Sequence, residues 1–264
     1  MLVLIRGAGD IASGIALRLY RAGLQVVMTD LPHPTAIRRT VSFSEAILQG
    51  QTTVEDVTAR FVTVEQVQET LAAGEIPVLA DPDCECKELL QPRVLVDAIL
   101  AKRNLGTRIT DAPVVIAVGP GFTAGLDCHA VVETMRGHYL GRAIWEGSAQ
   151  PNTAVPGLIG GYAGERVLRA PADGVFRQVK NIGDQVQAGD VAGFVGDVPM
   201  ICTIGGILRG ILPDGTPVRK GMKAGDVDPR CERAHCDCAS DKALAVGGGV
   251  LEAILQQTGV LNHG

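Results

Sequence analysis

The sequence is poor in the features that bind nucleic acid, cross a membrane or hold an iron–sulfur cluster. Lys and Arg together number 24 against 29 Asp and Glu, for a formal charge of −5. That balance leaves no basic footprint for a phosphate backbone, and no nucleic-acid partner is expected. No apolar run approaches the roughly 18 residues of a membrane span, so no membrane association is expected either. Before Arg6 there is a short apolar run with no basic stretch ahead of it, which is not the pattern of an export signal. The seven cysteines are odd in number and irregularly spaced. In a chain without an export signal they are expected to be reduced thiols in the cytoplasm. The multiple spaced cysteines of iron–sulfur domains are missing.

Glycine is abundant, 33 of 264 residues, against a usual share of about 7%. Many turns and close backbone approaches follow. With 46% hydrophobic and 20% charged residues, the chain is globular, and its length allows one large or two modest domains with a real core.

The most informative stretch is Leu2 to Asp30. A short apolar run, Leu2 to Ile5, reads as a buried strand and breaks into Gly7-Ala8-Gly9-Asp10-Ile11-Ala12, which fits G-x-G-x-x-A. Ile11, Ile15 and Leu19 then share one helical face. A second strand, Gln25 to Thr29, ends on Asp30. This is the strand-turn-helix-strand order of a dinucleotide-binding unit. Gly7 permits the sharp turn, Gly9 lets a pyrophosphate approach backbone, and the N–H groups at the helix start, from Asp10 and Ile11 on, suit phosphate. Asp30 is placed to accept hydrogen bonds from a ribose. A tight turn that needs small residues only for packing is the alternative. Asp10 tempers the phosphate reading, because a carboxylate there repels phosphate unless it turns away or caps the helix.

Further on, Arg60 to Val62, Ile76 to Ala80, Val94 to Val96 and Val114 to Val118 read as strands, each a short apolar run suited to a parallel sheet. Thr63-Val64-Glu65-Gln66 fits a capping box before a helix that ends at Gly74. The strand ends carry Asp10, Asp30, Asp81, Asp97 and Gly119-Pro120-Gly121. Asp97, Gly119 and Gly121 therefore join Gly7, Gly9, Asp10, Ile11 and Asp30 as candidate ligand-binding residues, with helix capping as the simpler role for any single acid. Arg38 and Arg39 read as a solvated loop pair. Glu146 to Gly164, rich in Gly, Pro, Asn and Ala, reads as a linker. The expected fold is α/β, a Rossmann-like doubly wound sheet over residues 1–150, followed by a small all-β module.

That module, residues 165–228, contains a repeat: Gly174, Gly183, Val186 and Gly189 match Gly206, Gly215, Val218 and Gly221. Two similar β units would close on each other as a small sandwich. The segments Ala170 to Val175 and Gly183 to Asp190 resemble the biotinyl/lipoyl barrel-sandwich hybrid. That resemblance implies a lysine at a joining hairpin, expected here at Val198 to Cys202. No lysine lies between Lys180 and Lys220, so neither biotin nor lipoyl is expected. Residues 229–264 read as a Cys-rich loop and a C-terminal helix packing back on the first domain. Cys231, His235, Cys236 and Cys238 are the residues a zinc ion would take, although their crowded spacing favours free thiols. Gly247-Gly248-Gly249 reads as a hinge, or a second anion site, ahead of that helix.

Six separated motifs carry a wider resemblance: Ile5 to Asp10, Val96 to Thr107, Val118 to Phe122, Glu165 to Pro171, Gly225 to Arg230, and Ser240-Asp241-Lys242 through Gly249. In this order they resemble the selenium-dependent molybdenum hydroxylase system protein family. The resemblance implies an accessory protein that matures a molybdenum hydroxylase. It would handle the molybdenum cofactor, a phosphorylated pterin, or its selenium or sulfur ligand, with the apo-enzyme as partner. Cys84, Cys86 and the Cys231 to Cys238 stretch are not matched to that family. An NAD(P)-dependent oxidoreductase using a dinucleotide, and a non-catalytic protein-binding scaffold, stand as alternatives. Whether any reaction is catalysed is left open by the residues.

Overall fold

A computed structural model describes residues 1–153 and 155–260. The chain divides into two compact units. Among the described residues, one contains 1–34, 42–153 and 239–260, and the other contains 35–41 and 155–238. The fold is mixed α/β, with one large, mainly parallel sheet and two smaller antiparallel ones.

The first unit carries strands β1 (Leu2–Arg6), β2 (Gln25–Asp30), β3 (Gln51–Val54), β4 (Val57–Phe61), β5 (Ile76–Ala80), β6 (Val94–Asp97), β7 (Val114–Val118), β8 (Ala130–Val132) and β9 (Ala143–Ile144). Its α-helices are α1 (Asp10–Arg21), α2 (Glu45–Gln49), α3 (Val67–Ala72), α4 (Lys87–Leu90) and α5 (Asp241–Thr258). The sheet order is β3-β4-β5-β2-β1-β6-β7-β8-β9. Neighbours from β4 through β8 run parallel, and the edge strands β3 and β9 are antiparallel to theirs. The chain fills one side of β1 and then crosses to the other, so strand order reverses at β1. In open parallel sheets that reversal leaves a crevice at the carboxyl ends of the strands. The Gly7–Gly9 turn lies at that end of β1.

The apolar runs form strands because both faces are covered: Val3, Leu4, Ile5, Val94 to Val96 and Val114 to Val118 are all buried. The sequence expectation omitted β3, whose Gln51, Thr52 and Thr53 give an edge strand no apolar signature. The capping box at Thr63 and Gln66 is formed, on a short 3-10 turn ahead of α3.

Helix α5 corrects another expectation. Gly247, Gly248 and Gly249 are neither hinge nor anion site; they lie inside the helix. Glycine in a helix interior costs about 1 kcal/mol against alanine, and close packing offsets that cost. A Cβ at Gly247 would stand 2.9 Å from the Gly14 carbonyl oxygen of α1, and one at Gly14 would collide with Ala243. A Cβ at Gly249 would run into the Gly141 carbonyl. No helix among the described residues is long and apolar enough to cross a membrane.

The second unit carries β10 (Val167–Arg169), β11 (Gly174–Gln178), β12 (Gln185–Val186), β13 (Val191–Val195), β14 (Val198–Ile201), β15 (Gly206–Ile211), β16 (Pro217–Val218) and β17 (Lys223–Asp228). Its sheets run β10-β17-β15-β12 and β14-β13-β11-β16. The repeat has a structural meaning. The short strand of each copy pairs with the long strand of the other, β12 with β15 and β16 with β11. Phe176, Val186, Val195, Leu208, Ile211 and Val218 fill the shared core. Val198 to Ile201, expected as a joining hairpin, is instead strand β14, with Met200 buried.

Candidate functional site

The candidate site is the carboxyl edge around β1. Gly7 has φ +106°, and its N–H donates to the Thr29 carbonyl at 2.8 Å. A Cβ there would lie 2.9 Å from the Ala98 carbonyl oxygen, so Gly7 serves the approach of the loop after β6 as well as the turn. Gly9 is the N-cap of α1 and offers no side-chain cap. A Cβ on it would meet nothing within 4 Å. The Cβ side of Gly9, at the start of the helix, is therefore open.

The acids divide by their partners. Asp30 accepts the Ala8 N–H on Oδ2 and the Leu31 N–H on Oδ1, both at 2.7 Å. It braces the glycine turn. Burial pushes its carboxyl up, and the two backbone donors partly restore it. Asp97 is 1% exposed. Its Oδ2 accepts the Thr107 hydroxyl at 2.6 Å and lies 3.7 Å from Arg6. Arg6 in turn donates to the carbonyls of Pro82 and Leu105. Asp97 is thus a buried brace under the strand-end loops, not a group presented to a ligand. The Ile11 side chain is buried in the core, so only its backbone serves the helix start. Gly119 and Gly121 take φ +80° and +109°, and a Cβ on Gly121 would come within 2.5 Å of Arg103 Cα. These glycines serve loop-on-loop packing. In the loop after β6, Leu100 and Lys102 both have positive φ, a conformation costly for residues with side chains.

Two residues of this edge escaped the sequence reading. Glu133 is buried, and its carboxylate accepts the N–H groups of Thr134, Met135 and Gln150 at 2.7–2.8 Å. Lys242 stands in the first turn of α5, whose N-cap Ser240 accepts the Ala243 N–H. Burial pushes its ammonium down; Arg136 and Lys102 push the same way, while Asp10 and Glu133 pull it back. Lys242 forms no hydrogen bond or ion pair among the described residues. The signal available in sequence was Ser240-Asp241-Lys242 at a helix start. What it could not show is that α5 sits beside α1, which brings Lys242 to Asp10.

No family profile matches the sequence. It is 54% identical over 255 residues to "Uncharacterized protein YqeB" of Escherichia coli (strain K12), covering 96% of this chain and 47% of that protein. The chain thus spans about half the length of the curated relative it matches. Among solved structures, it is similar to a succinylglutamate desuccinylase/aspartoacylase from Rhodobacter sphaeroides, with 25% identity, TM-score 0.22, and 24% of this chain and 21% of that one covered. An aspartoacylase family protein from Mesorhizobium loti gives 12% identity and TM-score 0.26 over 80% of this chain and 58% of that one. Likenesses at these scores lend the chain no activity. None of these findings points to a selenium-dependent molybdenum hydroxylase system. The family resemblance read from the six motifs, and the maturation role drawn from it, are corrected accordingly. The nicotinamide-linked oxidation set beside that role finds no support in them either.

The second unit separates its proposed metal ligands. Cys231 is exposed, with φ +57°. Cys236 is buried, and burial pushes its thiol up. The Cys238 thiol donates to the Ala234 carbonyl, and His235 Nδ1 lies 3.8 Å from Asp228. The 3-10 turn Arg233–Cys236 points successive side chains in different directions. Among the described residues no three His, Cys, Asp or Glu side chains are grouped to hold a metal. Arg38 and Arg39 are not a solvated pair: Arg38 donates to the carbonyls of His235 and Cys238, and Arg39 to that of Ile211.

This unit also holds a buried ladder of charge. Asp226 receives Arg166 and Arg209, and Asp228 receives Arg209 and Arg230. Burial pushes Asp228 up, but Arg230 and Arg209 outweigh it and hold its carboxyl at about 2.

Proposed function

We propose that the first unit binds a small phosphorylated ligand, a dinucleotide or a phosphorylated heterocycle such as a pterin, in the manner of a Rossmann-like doubly wound sheet. The phosphate would sit on the N-terminal N–H groups of α1 over Gly9, at the reversal of strand order. The observation that carries this reading is the clear space above Gly9. Lys242 supports it, because a half-buried ammonium with no direct partner is costly unless an anion joins it. Asp10 lies toward Lys242, so its charge is set against a cation and not left to face the phosphate alone. On this reading Asp30 acts through the turn it braces, and its remaining lone pairs are available to a ribose. The second unit is read as a barrel-sandwich hybrid, on the strength of its exchanged short strands.

The test is calorimetric titration of the full chain with ADP, NAD and pyrophosphate. Gly9→Val has room to fold and should lose all such binding. Lys242→Met should weaken it at least about tenfold, the equivalent of one charge-assisted contact. Undiminished affinity in folded Gly9→Val would place the ligand elsewhere.

A further inference from the structure

The acid that ends β2 and the two arginines that follow it favour opposite nucleotides. In a doubly wound sheet the chain leaving this strand meets the sugar of a ligand whose phosphate rests on the glycine turn. An acid there accepts ribose hydroxyls, and an arginine there takes a 2′-phosphate. This chain has both, Asp30 and then Arg38-Arg39. They fall in different units. Arg38 Nη2 donates to the His235 carbonyl at 3.0 Å and to the Cys238 carbonyl at 3.5 Å. Arg39 Nε donates to the Ile211 carbonyl and Nη2 to Gln178 Oε1, both at 3.1 Å. Both guanidiniums are thus taken up by acceptors of the second unit. The first unit keeps Leu31, Pro32, His33 and Pro34 after β2, with no lysine or arginine among them.

Asp30 stays with the glycine turn. One oxygen accepts the Ala8 N–H and the other the Leu31 N–H, each at 2.7 Å. Asp30 is half-buried, not sealed as Asp97 is. An ionised carboxylate only accepts, and each oxygen has lone-pair capacity left after one backbone bond. Two neighbouring O–H donors therefore suit it, and a second anion does not. Its place narrows the ligand further. Ala8 immediately precedes the N-cap Gly9, so a group that reaches Asp30 lies only a few bonds from the phosphate. The 2′- and 3′-hydroxyls of a ribose 5′-phosphate do. The donors of a pterin lie on the far edge of its fused rings.

Resting on the phosphate reading above, we propose that the first unit takes a ribonucleotide with free 2′- and 3′-hydroxyls, and that Asp30 both accepts this diol and turns away 2′-phosphorylated nucleotides. The selectivity has an attractive and a repulsive part. A 2′-phosphate loses a hydrogen bond to Asp30 and sets an anion against its carboxylate. Residues 31–34 bring no lysine or arginine to relieve that repulsion.

The experiment is calorimetric titration of the full chain, at one ionic strength, with pyrophosphate, ADP, 2′-deoxy-ADP, NAD and NADP. NADP should bind at least about tenfold more weakly than NAD, and 2′-deoxy-ADP several-fold more weakly than ADP. Asp30→Asn keeps one oxygen for a backbone donor and removes the charge. It should raise the affinity for NADP while lowering that for NAD, and a turn that was merely damaged would lower both. Wild-type ratios decide the question even if the variant fails to fold. NADP binding as tightly as NAD, or ADP binding no better than its 2′-deoxy form, overturns the proposal and leaves the phosphate reading standing. A wild-type chain that binds none of the five overturns both.

Discussion

The charge ladder of the second unit and the strand-end loops of the first both bury ionised groups, and they do so to opposite ends. In the ladder Asp226 and Asp228 are enclosed by Arg166, Arg209 and Arg230, so carboxylate meets guanidinium at every step. At the strand ends the carboxylates are satisfied by N–H groups and a hydroxyl, and Lys242 is left with only the more distant pull of Asp10 and Glu133. A saturated network fixes a structure. One that saturates its acids and leaves a cation over has something to offer an anion.

The largest expected effect breaks the ladder. Asp226→Ala takes from Arg166 and Arg209 the carboxylate they share, leaving Arg209 with Asp228 alone, and losing one partner of a buried pair costs about 3–5 kcal/mol. Urea denaturation should show the midpoint fall by that measure. A change under about 1 kcal/mol would mean that the guanidiniums find water. Next is the glycine contact between α1 and α5. Gly14→Leu should cost at least the about 1–3 kcal/mol of an overpacked core, because backbone and not a flexible side chain is in the way. A melting temperature equal to wild type would show that the helices separate freely.

Acid comes third. Asp228 is held near 2, below its ordinary value, so its contribution is complete above about pH 4 and is lost as pH falls toward 2. Stability of wild type should therefore drop over that window, and Asp228→Asn should flatten the drop. Equal slopes would remove Asp228 as the cause. The smallest stability change is expected at Gly9. Gly9→Asp supplies the missing helix cap and should gain a few tenths of a kcal/mol, while its charge repels phosphate. Stability and pyrophosphate affinity should then move in opposite directions; if both rise, the anion does not sit on α1.

Much of the first unit was legible in sequence because its interior strands are buried on both faces, which leaves unbroken apolar runs such as Val114 to Val118. The Gly7–Gly9 turn and Asp30 were legible because their spacing is local. Gly247 to Gly249 misled, since in sequence a glycine triplet looks the same whether it frees the backbone or clears a path for another helix. Asp97 misled for a related reason: a strand-end acid looks the same whether it faces ligand or Arg6. Glu133 and Lys242 could not be found from spacing at all. Lys242 depends on α5 coming to lie beside α1, an element far from it in sequence, while Glu133 takes its N–H partners from Thr134, Met135 and Gln150 in a loop with no recognisable motif. The four donors from Cys231 to Cys238 are dense in sequence, but the described residues do not group three of them to hold a metal.

The glycine face of α1 also sets a schedule for synthesis. Helix α5, which covers Gly14, is encoded after the whole of residues 155–238. At about 5–20 residues per second, the ribosome spends roughly 4–17 s on that stretch before the covering helix can emerge. Through that interval α1 keeps the close-approach position at Gly14 unclaimed, open to any other helix in reach.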